Sequence, residues 1–327
     1  MPDTSCTDRS SSPCWYTTPF STGLTGNLDD VTDTAGAPFG LLATAMVTPF
    51  DDSGAVDHQK AWDLSRYLAE KGTDTLVVAG TTGESPTLSD QEKLALFKTV
   101  IDAVEEKKTK VVAGTGTYDT AHSVEMTEKA ATLGVDGVLA VTPYYSRPSQ
   151  QGLVSHFTAI ADVGCPVMLY NIPGRSSRLI ELETLVQLAA HPNIVAVKDA
   201  VGDVDFTSST VHMAPGLPVY SGDDSRTLPM MAVGAVGVVS VVSHLAGPAV
   251  KAMLKAATAG DYAEARRLHH ELLALCHACF LEPSPSPVKG ALSRAWEPVG
   301  DVRLPLVAAS DETLAAIEKA MGAISPS

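Results

Sequence analysis

The sequence predicts an α/β fold: a (β/α)8 TIM barrel with a C-terminal helical region. Three observations point there. Short β-branched or apolar runs recur eight times between residues 41 and 242, starting about 18 to 35 residues apart. Each gap has room for one helix, and several gaps carry explicit helix start and stop signals. The series fits within a little over 200 residues, the usual scale of a single barrel. A doubly wound open sheet is the rival fold built from the same alternation.

The runs are Leu41 to Val47, Thr75 to Ala79, Lys110 to Ala113, Gly137 to Val141, Pro166 to Tyr170, Ile194 to Val197, Pro218 to Ser221 and Val236 to Val242. Ahead of them, residues 1–37 are rich in Ser, Thr, Asp, Gly and Pro without an apolar period, which reads as a disordered tail. In the first gap a helix is expected from near Asp57, with Ala61, Leu64, Tyr67 and Leu68 on one face and a stop at Gly72. In the second, Ser89 and Glu92 form a capping-box pattern ahead of Leu94, Phe97, Val100, Ile101 and Val104 at helical spacing. From about Asp261 the period is helical, through Ala263, Ala265, Leu268, Leu272 and Leu275. The Pro-rich stretch Glu282 to Pro287 interrupts it before Leu314, Ile317 and Met321 resume it. The expected division is a tail over 1–37, a catalytic barrel over 38–261 and a helical region over 262–327.

Composition limits the function classes. With 327 residues, 45% of them hydrophobic, the chain can bury a full-sized core. A net charge of −15 and a pI near 4.9 leave no basic surface to neutralise phosphates, so a nucleic-acid partner is excluded. No apolar run approaches the roughly 20 residues of a membrane helix. The segment Met1 to Ser12 is polar, carries Asp3 and Asp8 and has no apolar h-region, so a cytoplasmic protein without a membrane partner is expected. Five scattered cysteines, Cys6, Cys14, Cys165, Cys276 and Cys279, do not suggest a disulfide framework. Cys276 and Cys279 have C-x-x-C spacing, yet no second pair completes a zinc site. Their neighbours Leu272, Leu273, Leu275 and Phe280 read as an apolar helix, so packing is the expected role.

In such a barrel, reacting groups belong at the C-terminal ends of the strands. Lys198 ends the run Ile194 to Val197, where an apolar surround would disfavour the ammonium form. A free amine is what imine formation with a ketone requires. The plain alternative is a strand-end lysine reaching solvent. Tyr170 ends Val167 to Leu169, and adjacent strand ends lie about 5 Å apart, so its phenol could exchange protons with an adduct on the lysine. The alternative there is a rim aromatic whose hydroxyl meets water. Gly80-Thr81-Thr82-Gly83-Glu84-Ser85 follows the second run, and its backbone N–H groups and two hydroxyls suit a carboxylate. It lacks the lysine of a phosphate-binding loop, and a tight strand–helix connection is its alternative. Tyr144 and Tyr145, in Thr142 to Pro148, suit interface packing. Asp223 and Asp224, in Ser221 to Asp224, suit capping of the next helix better than metal binding, because no His or further carboxylate clusters beside them.

Taken together these segments resemble the 4-hydroxy-tetrahydrodipicolinate synthase (dihydrodipicolinate synthase) family of Schiff-base aldolases. The resemblance runs in order through LLATAMVTPF (from Leu41), GTTGES (Gly80), AGTGTYDTAHS (Ala113), VTPYYSRPSQ (Val141), LYNIPGRS (Leu169), VAVKDA (Val195), YSGDD (Tyr220) and EPSPSPVK (Glu282). It implies that Lys198 forms a Schiff base with pyruvate, whose enamine attacks the aldehyde of L-aspartate 4-semialdehyde in the diaminopimelate route to lysine. Tyr170 would donate and accept protons in a relay with Thr81 and with Tyr145, the latter from a neighbouring subunit. Thr82 and the backbone at Val239 would bind pyruvate, Arg175 the carboxylate of the semialdehyde, and Gly222 would be a further substrate-binding position. No metal or organic cofactor is implied, and a homo-oligomer, tetramer or dimer, is.

Feedback-inhibited members bind lysine at a subunit interface, near Ser85, Pro86, Asp90, Lys93, Tyr118, His122 and Tyr144 here. Tyr118 and His122 replace an amide and a carboxylate, so weak lysine inhibition is expected. Two competing readings stand beside this one. N-acetylneuraminate lyase and the 2-keto-3-deoxy sugar acid aldolases use the same Lys and Tyr, but need hydroxyl partners where this chain has Arg175. A non-catalytic small-ligand-binding regulator could also have kept the barrel.

Overall fold

The computed structural model describes residues 36–324. Its centre is a closed barrel of eight parallel strands paired in chain order, with β8 returning to β1. The strands are β1 (Leu42–Ala45), β2 (Thr75–Val78), β3 (Lys110–Gly114), β4 (Gly137–Val141), β5 (Val167–Asn171), β6 (Ile194–Asp199), β7 (Val219–Ser221) and β8 (Gly237–Ser240). They follow the eight expected runs to within one or two residues at each end. The open-sheet rival falls because β1 pairs with both β2 and β8, which leaves no edge. β6 runs on through Lys198 and Asp199, so the lysine is part of the ladder rather than the residue after it.

The helices between strands are α1 (His58–Glu70), α2 (Asp90–Val104), α3 (Thr120–Thr132), α4 (Gln150–Ala161), the short α5 (Pro173–Ser176), α6 (Leu182–Leu188), α7 (Val204–Met213) and α8 (Thr227–Ala232). After β8 come α9 (Ser243–Thr258), α10 (Tyr262–Ala278), α11 (Ser286–Ala295) and α12 (Asp311–Met321). Side-chain caps fix many of the starts. Asp57 accepts from the N–H of Lys60 at α1, and Ser89 and Glu92 close the full capping box at α2. Just beyond α1, Gly72 takes φ of 95°, a conformation that costs a residue without Cβ little. Of the expected tail, residues 1–35 lie outside the described ones. Ala37 is buried with the barrel interior.

Two apolar layers hold the barrel. Outside it, Leu64, Leu68, Phe97, Val100, Phe157 and Ile160 of the helices pack on outward-facing strand residues. Inside, Ala43, Val77, Val112, Leu139, Met168, Ala196 and Val239 fill the lumen, and Phe39 closes its N-terminal end. The C-terminal helices form a further cluster with α9, in which Cys276 and Cys279 are buried beside Leu272 and Ile317. Burial raises both thiols, Cys279 to about 12, so they pack as neutral side chains. No helix among the described residues is long and apolar enough to cross a membrane.

Candidate active site

Strand alternation decides what faces the barrel mouth. β5 and β6 are in register with Met168 opposite Ala196, Tyr170 opposite Lys198 and Asn171 opposite Asp199. Because successive side chains point to opposite faces, Met168 and Ala196 in the lumen carry Tyr170 and Lys198 one layer up on the same face. Lys198 is 5% exposed, and its Nζ lies 4.2 Å from the centroid of the Tyr170 ring. Asp199 faces the other way, accepting hydrogen bonds from Thr207 Oγ1 (2.6 Å) and the Val201 N–H (2.9 Å). The amine therefore meets an aromatic face rather than the carboxylate beside it in the chain.

Lys198 also lies opposite Tyr220 on β7. That phenol serves the opposite end of the barrel: its oxygen accepts from the Phe39 N–H (2.9 Å), and burial holds its pKa well above the usual value. Of the two tyrosines flanking the lysine, Tyr170 is the one at the mouth. Its strand is braced by Thr142, whose N–H and Oγ1 both donate to the Tyr170 carbonyl (3.0 and 2.8 Å).

Beside this pair opens a cavity of about 230 Å³ lined by Thr81, Ser85, Tyr144, Tyr170, Arg175 and Ile172 among others. Arg175 is carried by α5, in a loop pinned by Asn171, whose amide donates to the Ile180 carbonyl and accepts from the Ile180 N–H, each at 3.0 Å. The cavity thus gathers Thr81, Tyr170 and Arg175 from the expected set, while Lys198 does not line it and its amine packs on the Tyr170 ring. Thr82 is buried behind the loop tip, and Val239 sits in the lumen on β8; neither lines the cavity.

Two expected residues have different surroundings from the rest. Tyr145 is 95% exposed, with φ of 69°, and of the adjacent pair it is Tyr144 that lines the cavity of this chain. Tyr144 meets Tyr118 edge-on at 5.4 Å between ring centroids. Gly222 has its N–H committed to the Asp199 carbonyl at 2.7 Å, so that group is not free for a ligand. What Gly222 supplies is clearance: a Cβ there would lie 3.1 Å from Lys198 Cε and 2.8 Å from Ala200 Cβ.

The capping expectation for the Asp pair holds for one member only. Asp223 accepts from the Ser225 N–H (2.9 Å), starting the next turn. Asp224 instead turns inward to β8, accepting from Ser240 Oγ (2.5 Å) and the N–H groups of Val241 (2.9 Å) and Val242 (3.3 Å). The reason is the geometry of the β7 end, which puts this buried carboxyl beside the uncapped backbone donors that follow Ser240. Burial pushes its pKa up while those hydrogen bonds oppose the shift.

A closed parallel barrel that presents a phenol, a hydroxyl and a guanidinium around one opening, with a shielded amine against the phenol ring, is the build of a small-molecule enzyme. The chain belongs to the dihydrodipicolinate synthetase family, whose model matches residues 38–324. It is 50% identical over 283 residues to the 4-hydroxy-tetrahydrodipicolinate synthase of Heliobacterium modesticaldum, covering 86% of this chain and 94% of that one. The crystal structure of a dihydrodipicolinate synthase from Bacillus anthracis superimposes with a TM-score of 0.85 at 47% identity, covering 88% of this chain and 99% of that one. The structure of the enzyme from Cyanidioschyzon merolae with lysine bound gives 0.86 at 43% identity, covering 88% and 98%.

Proposed function

We infer that the chain is a lyase with the activity named for its relatives, 4-hydroxy-tetrahydrodipicolinate synthase, and that Lys198 is its nucleophile. The observation that carries the reading is the shielded Lys198 amine 4.2 Å from the Tyr170 ring, at the C-terminal rim of the barrel. In the proposed sequence the Lys198 amine adds to the keto carbon of pyruvate, and loss of water gives an imine. Removal of a methyl proton gives an enamine, whose carbon attacks the aldehyde carbon of L-aspartate 4-semialdehyde. Tyr170 protonates the resulting alkoxide, with Thr81 and a partner's tyrosine relaying the proton. The amino group of the semialdehyde then displaces the lysine nitrogen as the ring closes, restoring the free amine.

Thr82 and the Val239 backbone form the pyruvate end of the site, and Gly222 acts through the room it leaves beside Lys198. Arg175 binds the semialdehyde carboxylate, for which a planar two-pronged donor is suited. The tyrosine exposed at position 145 supports a second copy of the chain completing the relay, hence a homo-oligomer. The catalytic unit spans 38–261, the helical region 262–327, and the setting is cytoplasmic.

The test is reduction with borohydride in the presence of pyruvate, followed by peptide mapping. The adduct mass is expected on the peptide holding Lys198 and on no other. Lys198→Ala is expected to fold and to lose turnover; surviving condensation in that variant would refute the mechanism. A higher rate with sugar aldehydes than with the semialdehyde would favour the sister aldolases.

A further inference from the structure

At the back of the loop that carries Thr81 and Thr82 lies Glu84, a residue to which the chemistry above assigns nothing. Its backbone is left-handed (φ 56°, ψ 35°), a region that a residue of this type seldom occupies. Its side chain is fully buried, and two donors from the C-terminal region converge on it. Lys289 Nζ, from α11, lies 2.9 Å from Oε1, and the Arg303 N–H lies 2.8 Å from Oε2. The amine of Lys289 is itself held by the Asp301 carbonyl at 2.9 Å and lies 4.0 Å from the centroid of the Phe50 ring. The Arg303 guanidinium grips the carbonyls of Gly54 and Thr87 and the carboxylate of Glu92. Each oxygen of Glu84 is thus fixed by a different segment, 205 and 219 residues further along the chain.

From Glu84 the restraint passes forward along the backbone. The Glu84 N–H donates to the Thr81 carbonyl (3.1 Å) and the Ser85 N–H to the Gly80 carbonyl (3.2 Å). Thr48 Oγ1 donates to the Gly83 carbonyl (2.7 Å). On the barrel side, a Cβ at Gly83 would lie only 3.0 Å from the backbone of Ala79, the residue after β2, so the loop already folds back against the strand end. Sliding in either direction breaks one of these contacts. A buried ion pair is seldom a better stabiliser than two apolar side chains of similar size, so stability alone does not account for this one.

We propose that Glu84, held by Lys289 and Arg303, is a positioning residue for the reaction: it sets the loop that presents Thr81 and Thr82 to the adduct on Lys198. The C-terminal helical region then takes part in turnover without touching substrate. This rests on the reading of Lys198 as nucleophile.

The test compares unaltered enzyme with Glu84→Leu/Lys289→Met, which replaces both charges together by an apolar pair, and with Glu84→Gln, which keeps the volume. Borohydride trapping of pyruvate counts the competent sites, and kcat is expressed per trapped site, so that loss of folded protein does not enter. In the double variant kcat per site is expected to fall about 30-fold with KM for pyruvate within about threefold, the signature of a misplaced group. In Glu84→Gln, a drop of about threefold to tenfold is expected, partial rescue by the conservative change. Wild-type kcat per site in Glu84→Gln, or in a folded double variant, would overturn the proposal. No trapping at Lys198 in the unaltered enzyme would overturn the reading of the nucleophile, and this proposal with it.

Discussion

Gly222→Ala tests the placement of the amine more sharply than removal of the amine itself. An added Cβ would meet Ala200 Cβ at 2.8 Å, the Asp199 carbonyl oxygen at 3.1 Å and Lys198 Cε at 3.1 Å. Carbon atoms in contact settle about 3.5–4.0 Å apart, so the new methyl is crowded on all three sides. Two of those neighbours have little freedom. Ala200 Cβ is fixed to its backbone, whose N–H donates to the Asn171 carbonyl, and the Asp199 carbonyl accepts the N–H of residue 222 itself. Only the Lys198 chain ends in rotatable bonds, so relief comes chiefly from displacing its Cε, and with it Nζ, from the place it holds beside the Tyr170 ring. Overpacking of this kind costs about 1–3 kcal/mol, which for a domain of this size lowers the unfolding midpoint by roughly 2–5 °C. A displacement of about 1 Å at a reacting group can lower its rate about 100-fold. The rate of borohydride trapping with pyruvate is therefore expected to fall about 10- to 100-fold while far-ultraviolet circular dichroism stays native. A Gly222→Ala enzyme that is trapped at the wild-type rate would refute the idea that clearance beside Lys198 is the function of this glycine.

Further expectations concern the phenol, pH and lysine. Tyr170→Phe keeps the ring beside the amine and removes only the hydroxyl, so kcat for condensation should drop about 100- to 1000-fold while pyruvate is still trapped; equal losses in both steps would contradict a proton-transfer role. His244 is fully buried, donates from Nδ1 to the Val241 carbonyl (2.8 Å) and accepts the Val47 N–H at Nε2 (3.1 Å), a pattern that requires the neutral ring. Burial lowers its pKa from 6.5 to about 4, so the unfolded state binds the extra proton first. Its contribution is complete above pH 6.5 and is lost as the pH falls from there toward 4, by roughly 3 kcal/mol in all. Urea melts at pH 7 and pH 4.5 should show the loss in wild type and a smaller one in His244→Gln, and equal slopes would exclude this residue. At the subunit-interface position described for feedback-inhibited relatives, His122 Nε2 is engaged with Asp90 (2.8 Å), Tyr118 packs on Tyr144, and the Lys93 ammonium lies buried nearby. The ammonium groups of a dibasic amino acid lose the amide and carboxylate that Tyr118 and His122 replace, so inhibition by lysine should be weak; half-inhibition at micromolar lysine in initial-rate assays would contradict this.

The sequence made the barrel and the lysine–tyrosine pair legible because both depend on local order. Alternation along four or five residues of β5 and β6 is enough to put Tyr170 and Lys198 on one face, and a run of apolar residues is enough to name the strand end. The capping box at Ser89 and the stop at Gly72 are equally local. What stayed hidden depends on which distant segments the closed barrel brings together. Asp224 has the composition of a helix cap, and nothing near it in the chain shows that Ser240 and the next two N–H groups will reach it first. Gly222 has the look of a ligand-binding glycine, yet its N–H is taken by a strand one step around the barrel. Lys289 and Arg303 are the extreme case. Both lie in a region whose periodicity shows helix packing alone, and their target is the one charged residue in a loop of small ones more than 200 positions earlier. A carboxylate in a Gly-Thr-Thr-Gly-Glu-Ser turn is nonetheless a usable signal: if the loop packs against the barrel, such a group is buried, and a buried carboxylate must find donors somewhere in the chain. The distinction carries over to the site itself. Groups that touch the adduct come from strand ends, where order in the sequence sets position, whereas groups that hold them in place come from closure of the fold.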